Sequence, residues 1–540
     1  MLLAAILLGV VLLRWRLLDV PLERDEGEYA YLGQLLLQGE PPYGEAYNMK
    51  LPGIYAVYAA ILAVFGETAR GIHLGLLCAN LLSTLFVYGI GRRLFGVWAG
   101  CAAAAAFGLL AVSEGLQGPF ANAEHFVLVP ALGGTWLFLR AWDARGRGQR
   151  SLGALLASGV LLGAAFTIKQ HGIVFPAAAW LLLAGRQLLP RPSKGARDSD
   201  PALGADPGSR ASGIVDLALF TVALALPFGA VCLWMAASGV FERFWFWTFT
   251  YAREYAGERP FSDFVRNLRG KGRYVTRVAP LLYVLAGLGL TAVAWDRIGR
   301  RRRGVFAVFV LFSFLATTPG FHVRPHYFVL ALPAAALAIG LFVSALGRLA
   351  LPRGPAALAL AGLPLVVGCG DYLWRQREYL FVYSPTLVSR QTYGGNPFPE
   401  SLAVANFVAE ATEPQDRVAI LGSEPQIWFY AKRRAAAGYV YLYALMETHP
   451  FALEMQQDFI RQLEETEAEM LVLVRIGTSW LASERSHKAI LQWMEQELRD
   501  YELVALMPVG IGARLLRGRA LEALSPDRPK ENVIEIYRRR

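Results

Sequence analysis

Long apolar segments, separated by short arginine-rich stretches, dominate the first two thirds of the chain. A helix needs about 20 apolar residues to cross the hydrocarbon core of a bilayer, so this pattern predicts a polytopic α-helical membrane protein. About eleven spans are expected, at residues 2–19, 71–90, 96–114, 123–140, 152–168, 172–189, 213–238, 278–295, 304–318, 327–347 and 355–372. The apolar segment 52–65 is short for a span, and its Pro-Gly start favours a helix that lies in or dips into the interface.

The arginines between these segments predict the orientation of the chain. Every second connection is strongly basic, as at 140–150 and 296–303, and the positive-inside rule makes that side cytoplasmic. The N-terminus is then cytoplasmic, and the first outward loop is 20–70. Connection 239–277 is basic although it lies on the outer side. We interpret its charge as attraction to anionic lipid headgroups or to a phosphorylated substrate.

The last part of the chain has the pattern of a soluble domain. Short β-rich runs at 417–422, 469–475 and 501–507 are separated by helical patterns such as 451–467 and 485–499. This alternation predicts a small extracytoplasmic α/β domain with a largely parallel sheet. The turn GSEPQ, which follows the first of these runs, is not a nucleotide-binding motif.

Composition agrees with this division of the chain. Hydrophobic residues make up 55% and charged residues 18%. The net charge of +10 lies mainly in loops between spans, so membrane topology explains it better than nucleic-acid binding. The four cysteines all lie in apolar runs and predict neither a disulfide framework nor a zinc site. We expect a transmembrane domain at 1–372, a linker at 373–395 and a soluble domain at 396–540.

In this topology, ionisable side chains from distant parts of the sequence meet at the outer membrane boundary. They are Asp25, Glu26, Glu28, Lys50, Glu124, Lys169, His171, Arg324, His326 and, beside them, Tyr327. Carboxylates that converge with cations suit a reaction in which a carboxylate takes a proton while the cations hold a phosphate. The sequence therefore predicts a catalytic site at the outer face.

Several of these residues also have a purely structural interpretation. Glu26 and Glu28 could form the acidic start of a helix, where the helix dipole favours negative charge. Lys169 and Arg324 could be anchors that extend to the interface. Glu124 is harder to explain in this way, because it begins an apolar span without an adjacent cation.

Four motifs at these positions resemble one enzyme family. An acidic DEGEYAY directly follows the first span, and NMKLPG is similar to a K-P-P type element. AAFTIKQHG and RPHYFVLALP resemble elements of later spans. Together they resemble the lipid-sugar-dependent GT-C glycosyltransferases, in the branch of the protein O-mannosyltransferases and the aminoarabinose transferases of lipid A. The chain departs from that pattern after Lys50, where Leu-Pro-Gly replaces two prolines, and at Gln170-His171, which replaces a small residue.

The resemblance implies transfer of a sugar from a polyprenyl-phosphate donor to a lipid, glycan or protein acceptor, with inversion at the anomeric carbon. Asp25 matches the essential first-loop acid, and Glu124 stands where a second acidic residue is usual. The residues matched to binding of the donor phosphate are Lys50, Lys169, Arg324 and Tyr327. The candidates for further substrate contacts are Glu26, Glu28, His171 and His326. No cofactor is expected, although Asp25 and Glu124 could share a divalent metal.

The expected location is a plasma membrane, and the resemblance favours a bacterial inner membrane. A transporter or flippase for a lipid-linked sugar is the alternative function, in which the same cations would line a path. Transporters often contain internal repeats and helices broken at the midplane. The sequence has no evident repeat and no clear charge in the middle of a span, which favours the enzyme.

Overall fold

The computed structural model describes residues 1–188, 207–257, 259–350, 354–524 and 529–540. Up to the first strand, the described helices are α1 Leu2–Trp15, α2 Arg24–Leu37, α3 Pro52–Phe65, α4 Ala69–Phe95, α5 Val97–Leu110, α6 Ala123–Gly146, α7 Leu152–Ile168, α8 Val174–Leu188, α9 Pro207–Ala237, α10 Phe241–Trp245, α11 Ala252–Gly257, α12 Phe261–Arg277, α13 Pro280–Trp295, α14 Arg297–Leu315, α15 Leu332–Ala350, α16 Pro355–Arg375, α17 Pro385–Tyr393 and α18 Phe398–Ala411. Shorter helices α19 Gln426–Ala431, α20 Tyr443–Met446, α21 Ala452–Thr466, α22 Gly477–Trp480, α23 Ala489–Glu497 and α24 Arg519–Glu522 follow.

Each predicted span coincides with an α-helix, although the ends differ. Among the described residues, length and composition qualify three helices as membrane spans: Ala69–Phe95, Ser212–Ala237 and Leu332–Ala350. A fourth is the pair α12 and α13, if a helix bent by 112° counts as one span. Several other apolar helices have only 14 to 17 residues, so the number of crossings stays a prediction. Residues 186–212, the basic and proline-containing connection that precedes the predicted span 213–238, lie mostly outside the described residues.

The predicted first outward loop is largely helical: α3 coincides with the helix expected at 52–65, and α2 begins at the acidic cluster. Helix α2 begins with a capping box, in which the side chains of Glu23 and Glu26 each accept a backbone N–H of the other residue. Most of α2 is buried, and Tyr29 packs against Tyr55 and Tyr58 of α3 with ring centroids 6.3 and 5.3 Å apart. The predicted loop is therefore part of the core.

Arg14, near the end of the first helix, is an arginine inside an apolar segment. It is buried, and its guanidinium donates to the carbonyls of Ala111 (2.7 Å) and Gly118 (3.0 Å). Ala111 is the C-cap of α5, where helix geometry leaves the carbonyl without an intrahelical donor, and Gly118 belongs to the connection that follows. The arginine therefore satisfies a neighbouring chain segment rather than reaching water.

The described strands form one six-stranded sheet in the order β2-β1-β3-β6-β4-β5. The strands are β1 Arg417–Leu421, β2 Arg434–Ala435, β3 Met470–Arg475, β4 Tyr501–Pro508, β5 Leu516–Arg517 and β6 Val533–Arg539. The three runs predicted as strands are β1, β3 and β4, but the prediction of a largely parallel sheet was wrong. Only the β2-β1-β3 side is parallel, because β6 inserts antiparallel between β3 and β4.

The turn GSEPQ at 422–426 joins the sheet to α2. Arg24 reaches across this contact and forms an ion pair with the buried Glu424 (2.7 Å). Gly27 approaches so closely that a Cβ atom there would lie 2.6 Å from the backbone nitrogen of Gln426. The segment that the sequence presented as a simple turn is therefore a docking point for α2.

We expect Gly27→Ala to lower the free energy of unfolding by about 1–3 kcal/mol, because the added methyl group would overlap the backbone of Gln426. The matched control is Gly270→Ala, at a helical glycine with open space around it. The control should be neutral or slightly stabilising. Thermal unfolding of the purified variants measures both. Equal midpoints for the two variants would contradict the close packing of α2 on residue 426.

Candidate active site

A cavity of about 160 Å³ lies at the start of α2. Its other walls come from residues 48–50, 169–171, 251–256, 319–327 and 441–447. Seven of the ten predicted site residues line it: Asp25, Lys50, Lys169, His171, Arg324, His326 and Tyr327. A larger open groove of about 630 Å³ lies beside Tyr47 and Trp247 but contains none of the ten. The predicted chemistry is therefore concentrated in the smaller cavity.

Asp25, in the first turn of α2, is held by two partners. The Lys50 ammonium lies 3.4 Å from Oδ2, and the Tyr441 hydroxyl donates to Oδ1 at 3.1 Å. Burial opposes ionisation, but the charges of Lys50 and His326 outweigh it and hold the pKa of Asp25 below its usual value. Asp25 is therefore a carboxylate and can accept a proton.

Lys50 follows a loop that packs against α2 and α3. Burial alone would lower its pKa, but Asp25 and Glu28 raise the pKa above the usual value for lysine. The Lys50 ammonium also lies 5.6 Å from the centroid of the Tyr29 ring, within the range of a cation–π contact. Lys50 therefore carries a positive charge inside the cavity.

Glu124 and Lys169 form a second buried pair. The Lys169 ammonium donates to Glu124 Oε1 at 2.5 Å and lies 4.8 Å from the centroid of the Tyr327 ring. His326 Nε2 is 4.0 Å from the same carboxylate oxygen. Glu124 does not line the cavity itself, so it acts on the cavity through Lys169. The cation that the sequence lacked beside Glu124 comes from another helix hairpin.

The remaining predicted residues form the other wall. Arg324 donates to the Tyr255 hydroxyl at 3.0 Å, and the His171 ring lies 4.5 Å from the ring of Tyr327. The segment Pro325–Leu330 is a 3-10 helix, which places His326 and Tyr327 before α15 rather than inside the predicted span. His326 Nδ1 is 2.7 Å from the side-chain oxygen of Gln117.

Glu26 and Glu28 lie behind the cavity rather than on its wall. Glu26 accepts from the backbone N–H of Ala121 at 2.5 Å, and its carboxylate is 2.9 Å from His73 Nε2. Glu28 accepts from the Tyr55 hydroxyl at 2.7 Å and from Asn48 at 3.0 Å. Glu26 thus joins chain segments to α2, whereas Glu28 supports Asn48, which does line the cavity.

Sequence reasoning missed the cavity residues that come from late in the chain or from connection 239–277. They are Tyr251, Tyr255, Tyr441, Tyr443 and Glu447. Tyr251 donates to Glu447 at 2.6 Å, and Tyr441 also donates to the carbonyl of Arg24 at 3.0 Å. Isolated tyrosines in a predicted soluble domain carry no signal of this role. Only the docking of the sheet onto α2 brings Tyr441, Tyr443 and Glu447 to the cavity.

The described residues contain no group of three or more His, Cys, Asp or Glu side chains that could hold a metal ion. Asp25 and Glu124, the two carboxylates proposed to share a metal, each pair with a different lysine instead. The arrangement suits binding of an anion beside a carboxylate, because three cationic side chains face one cavity.

The family model of dolichyl-phosphate-mannose-protein mannosyltransferase matches residues 49–194, which include Lys50, Glu124 and Lys169. No curated protein matches the sequence. Among solved structures, ArnT from Cupriavidus metallidurans bound to undecaprenyl phosphate is 16% identical, with a TM-score of 0.53 over 88% of this chain and 92% of that one. The Archaeoglobus fulgidus oligosaccharyltransferase in complex with Zn and sulfate is 13% identical, with a TM-score of 0.55 over 97% and 73%.

A mycobacterial arabinofuranosyltransferase, AftD, is also similar, with 15% identity and a TM-score of 0.51 over 99% of this chain and 41% of that one. The similarity to ArnT and to the oligosaccharyltransferase extends over most of each chain. It establishes a shared fold. The resemblance drawn from the sequence motifs is therefore confirmed, and the chain is a multi-pass helical membrane protein.

We expect the stability of the protein to carry a pH dependence from Glu28. Burial and Asp25 outweigh the opposing charge of Lys50 and raise the pKa of Glu28 from 4.5 to about 7. The proton on such a carboxyl stabilises the fold fully at a pH below the pKa of the unfolded chain, about 4.5. This contribution is lost as the pH rises through the pKa of the folded protein, about 7. Glu28→Gln should therefore gain stability relative to the wild type, on the order of 2 kcal/mol, between about pH 4.5 and 7.

Thermal unfolding midpoints of both proteins across this pH range test this expectation. The matched control is Glu242→Gln, at an exposed glutamate. If the difference in unfolding midpoint between Glu28→Gln and the wild type stays constant with pH, the raised pKa of Glu28 is contradicted.

Proposed function

We propose that the protein is an integral membrane glycosyltransferase that transfers a sugar from a polyprenyl-phosphate-linked donor to a lipid, glycan or protein acceptor. The observation that carries this proposal is one cavity in which the carboxylate of Asp25 meets Lys50, Lys169 and Arg324. The family match and the fold support it. So do the lipid ligands of two relatives: undecaprenyl phosphate in ArnT and dolichol-phosphate in the archaeal enzyme AglB.

The cations have the chemistry to hold the donor phosphate. Lys50, Lys169 and Arg324 line one cavity, and Tyr327 packs on the Lys169 ammonium. When the glycosidic bond to phosphate breaks, negative charge grows on the leaving oxygen. Cations already held at that position stabilise the transition state more than the ground state, which lowers the barrier. In this scheme Glu124 keeps Lys169 in position through their buried contact.

Asp25 is the proposed base. The charge of Lys50 helps to keep Asp25 ionised in the protein without donor. A donor phosphate that takes over part of the Lys50 charge would weaken this effect and make Asp25 more basic when the acceptor hydroxyl arrives. Attack by that hydroxyl from the face opposite the phosphate inverts the anomeric carbon. His171 and His326 line the same cavity and are proposed to contact substrate.

Glu26 and Glu28 have a different part in this scheme. Their contacts lie behind the cavity, so we propose that neither touches the donor. Glu28 supports the loop that carries Asn48 and Lys50, and Glu26 joins α2 to His73 and Ala121. The polyprenyl phosphate is itself the leaving group, and the proposed chemistry therefore requires no cofactor. The transporter alternative gains no support, since the similar proteins described above are transferases.

The topology belongs to the same proposal. We infer a cytoplasmic N-terminus, about eleven spans within residues 1–372, a linker at 373–395 and an extracytoplasmic domain at 396–540. The basic connections support this orientation through the positive-inside rule. The cavity would then open on the outer face of a plasma membrane, where a flipped lipid-linked sugar is available.

Asp25→Asn should lower the rate of sugar transfer by a factor of about 100 to 10,000, because the amide cannot accept the acceptor proton. Binding of undecaprenyl phosphate, used as the probe of the donor site, should be retained. Transfer would be measured with purified protein and a panel of polyprenyl-phosphate sugars. The matched control is Asp19→Asn, at an exposed carboxylate near Arg70. Full transfer by the Asp25 variant would overturn its role as base.

The orientation is tested with a single cysteine in a background without the four native cysteines. Ala482→Cys lies on an exposed segment between α22 and α23. We expect a membrane-impermeant maleimide to label it in intact cells, without disruption of the membrane. Labelling only after the cells are opened would reverse the proposed topology.

A further inference from the structure

The basic connection 239–277 contains a helix, α12, with an arginine stripe along one side. Arg266, Arg269, Arg273 and Arg277 are three or four residues apart, so their side chains lie on the same face of the helix. All four are exposed. Val275 on the other side of the helix is buried. The helix therefore packs with its apolar side on the protein and leaves its arginines outside.

The direction of α12 differs sharply from that of the next helix. The two axes are bent by 112° at the break before Pro280. If α13 crosses the bilayer, α12 must run close to the membrane plane at the end of that span. Two contacts fix it there: Asn267 donates to the carbonyl of Phe321 at 2.9 Å, and the rings of Phe264 and Phe321 are 5.4 Å apart.

The stripe has more positive charge than the protein neutralises. Asp263 is the acidic residue of α12, and it pairs with Arg266 at 2.7 Å. Arg277 lies 4.0 Å from Glu114. Within the described parts of the chain, Arg269 and Arg273 have no ion-pair partner. Exposed guanidinium groups in such a row can each bind a phosphate with two parallel hydrogen bonds.

We propose that this stripe binds the headgroups of anionic phospholipids in the leaflet around the cavity. None of its four arginines lines the cavity, so a substrate bound there is not their partner. Large apolar side chains on the same helix, Phe261 and Val265, are 65% and 48% exposed. A basic face combined with exposed apolar side chains is the pattern of helices that lie in the interface of anionic membranes.

This inference concerns a site that the proposed sugar transfer does not use. It also has a consequence for the cavity, because Phe321 belongs to the turn Pro319–Phe321, and Pro319 and Gly320 line the cavity. A helix held on the headgroups would keep this turn at the level of the membrane surface. The lipid would thus fix one rim of the site.

The test uses the full-length protein in nanodiscs of phosphatidylcholine and phosphatidylglycerol, with retained lipids counted by native mass spectrometry. The variant is Arg266→Gln, Arg269→Gln, Arg273→Gln. We expect it to retain at least about fivefold less phosphatidylglycerol than the wild type, since the loss of even one cation near an anionic membrane lowers binding by about a factor of five. The corresponding triple lysine variant keeps the charge and should restore most of the retention.

The matched control removes three exposed arginines elsewhere: Arg485→Gln, Arg499→Gln, Arg514→Gln. It should retain phosphatidylglycerol like the wild type. Equal retention by the two glutamine variants would overturn the proposal. So would a stripe variant that keeps phosphatidylglycerol but loses added undecaprenyl phosphate, because the stripe would then serve the donor. If the triple variant does not fold, single replacements of Arg269 and Arg273 by glutamine make the same comparison.

Discussion

A buried charged helix requires a partner for each of its ionised side chains, and α2 sets this requirement for the rest of the structure. An unpaired charge inside a protein costs several kcal/mol or more, whereas a paired and hydrogen-bonded one is tolerated. Arg24 meets Glu424, and Asp25 meets Lys50 and Tyr441. These partners come from the first loop and from the last part of the chain. Pairing the charges of one short helix thus joins distant segments of the chain around one cavity.

The same constraint explains why neighbouring acids have different roles. Asp25 points to the cavity wall, where cations keep it ionised. Glu28, one helical turn further, lies against Tyr55 and Asn48, where burial favours its protonated form. Glu26 faces the opposite way and contacts His73. Environment, not residue type, separates these three carboxyl groups.

The sequence could predict the parts of the site that depend on local pattern and on membrane sidedness. Asp25, Lys50, Lys169 and Arg324 lie at the ends of apolar segments, and hydropathy together with the arginine distribution brings them to one face. The sequence did not predict that α2 is a buried helix, because its acidic and tyrosine-rich sequence has no simple amphipathic period. Its burial depends on packing against α3 and α19.

The residues contributed by the end of the chain could not be predicted for a related reason. Tyr441 reaches Asp25 only because the turn at 422–426 docks on α2, which is a long-range contact without a local signal. Strand β6 was missed as well. Its partners β3 and β4 were predicted. The position of β6 between them depends on which edges of β3 and β4 are still unpaired, and the sequence of β6 alone does not show this. The hydrophobic pattern of a sequence indicates helices and strands. The order of the strands in the sheet depends on which strand edges are still without a hydrogen-bonded neighbour.

The position of β6 inside the sheet also determines when that sheet can close during synthesis of the chain. The strand lies between β3 and β4, so residues 533–539 must leave the ribosome before the sheet can close. The segment with Tyr441 and Glu447 precedes it and packs near the parallel half of that sheet. A chain interrupted between these points would contain every residue of the cavity wall but would lack the strand that joins β3 to β4. The wall segment with Tyr441 and Glu447 would then rest on a sheet whose β3 edge is still unpaired.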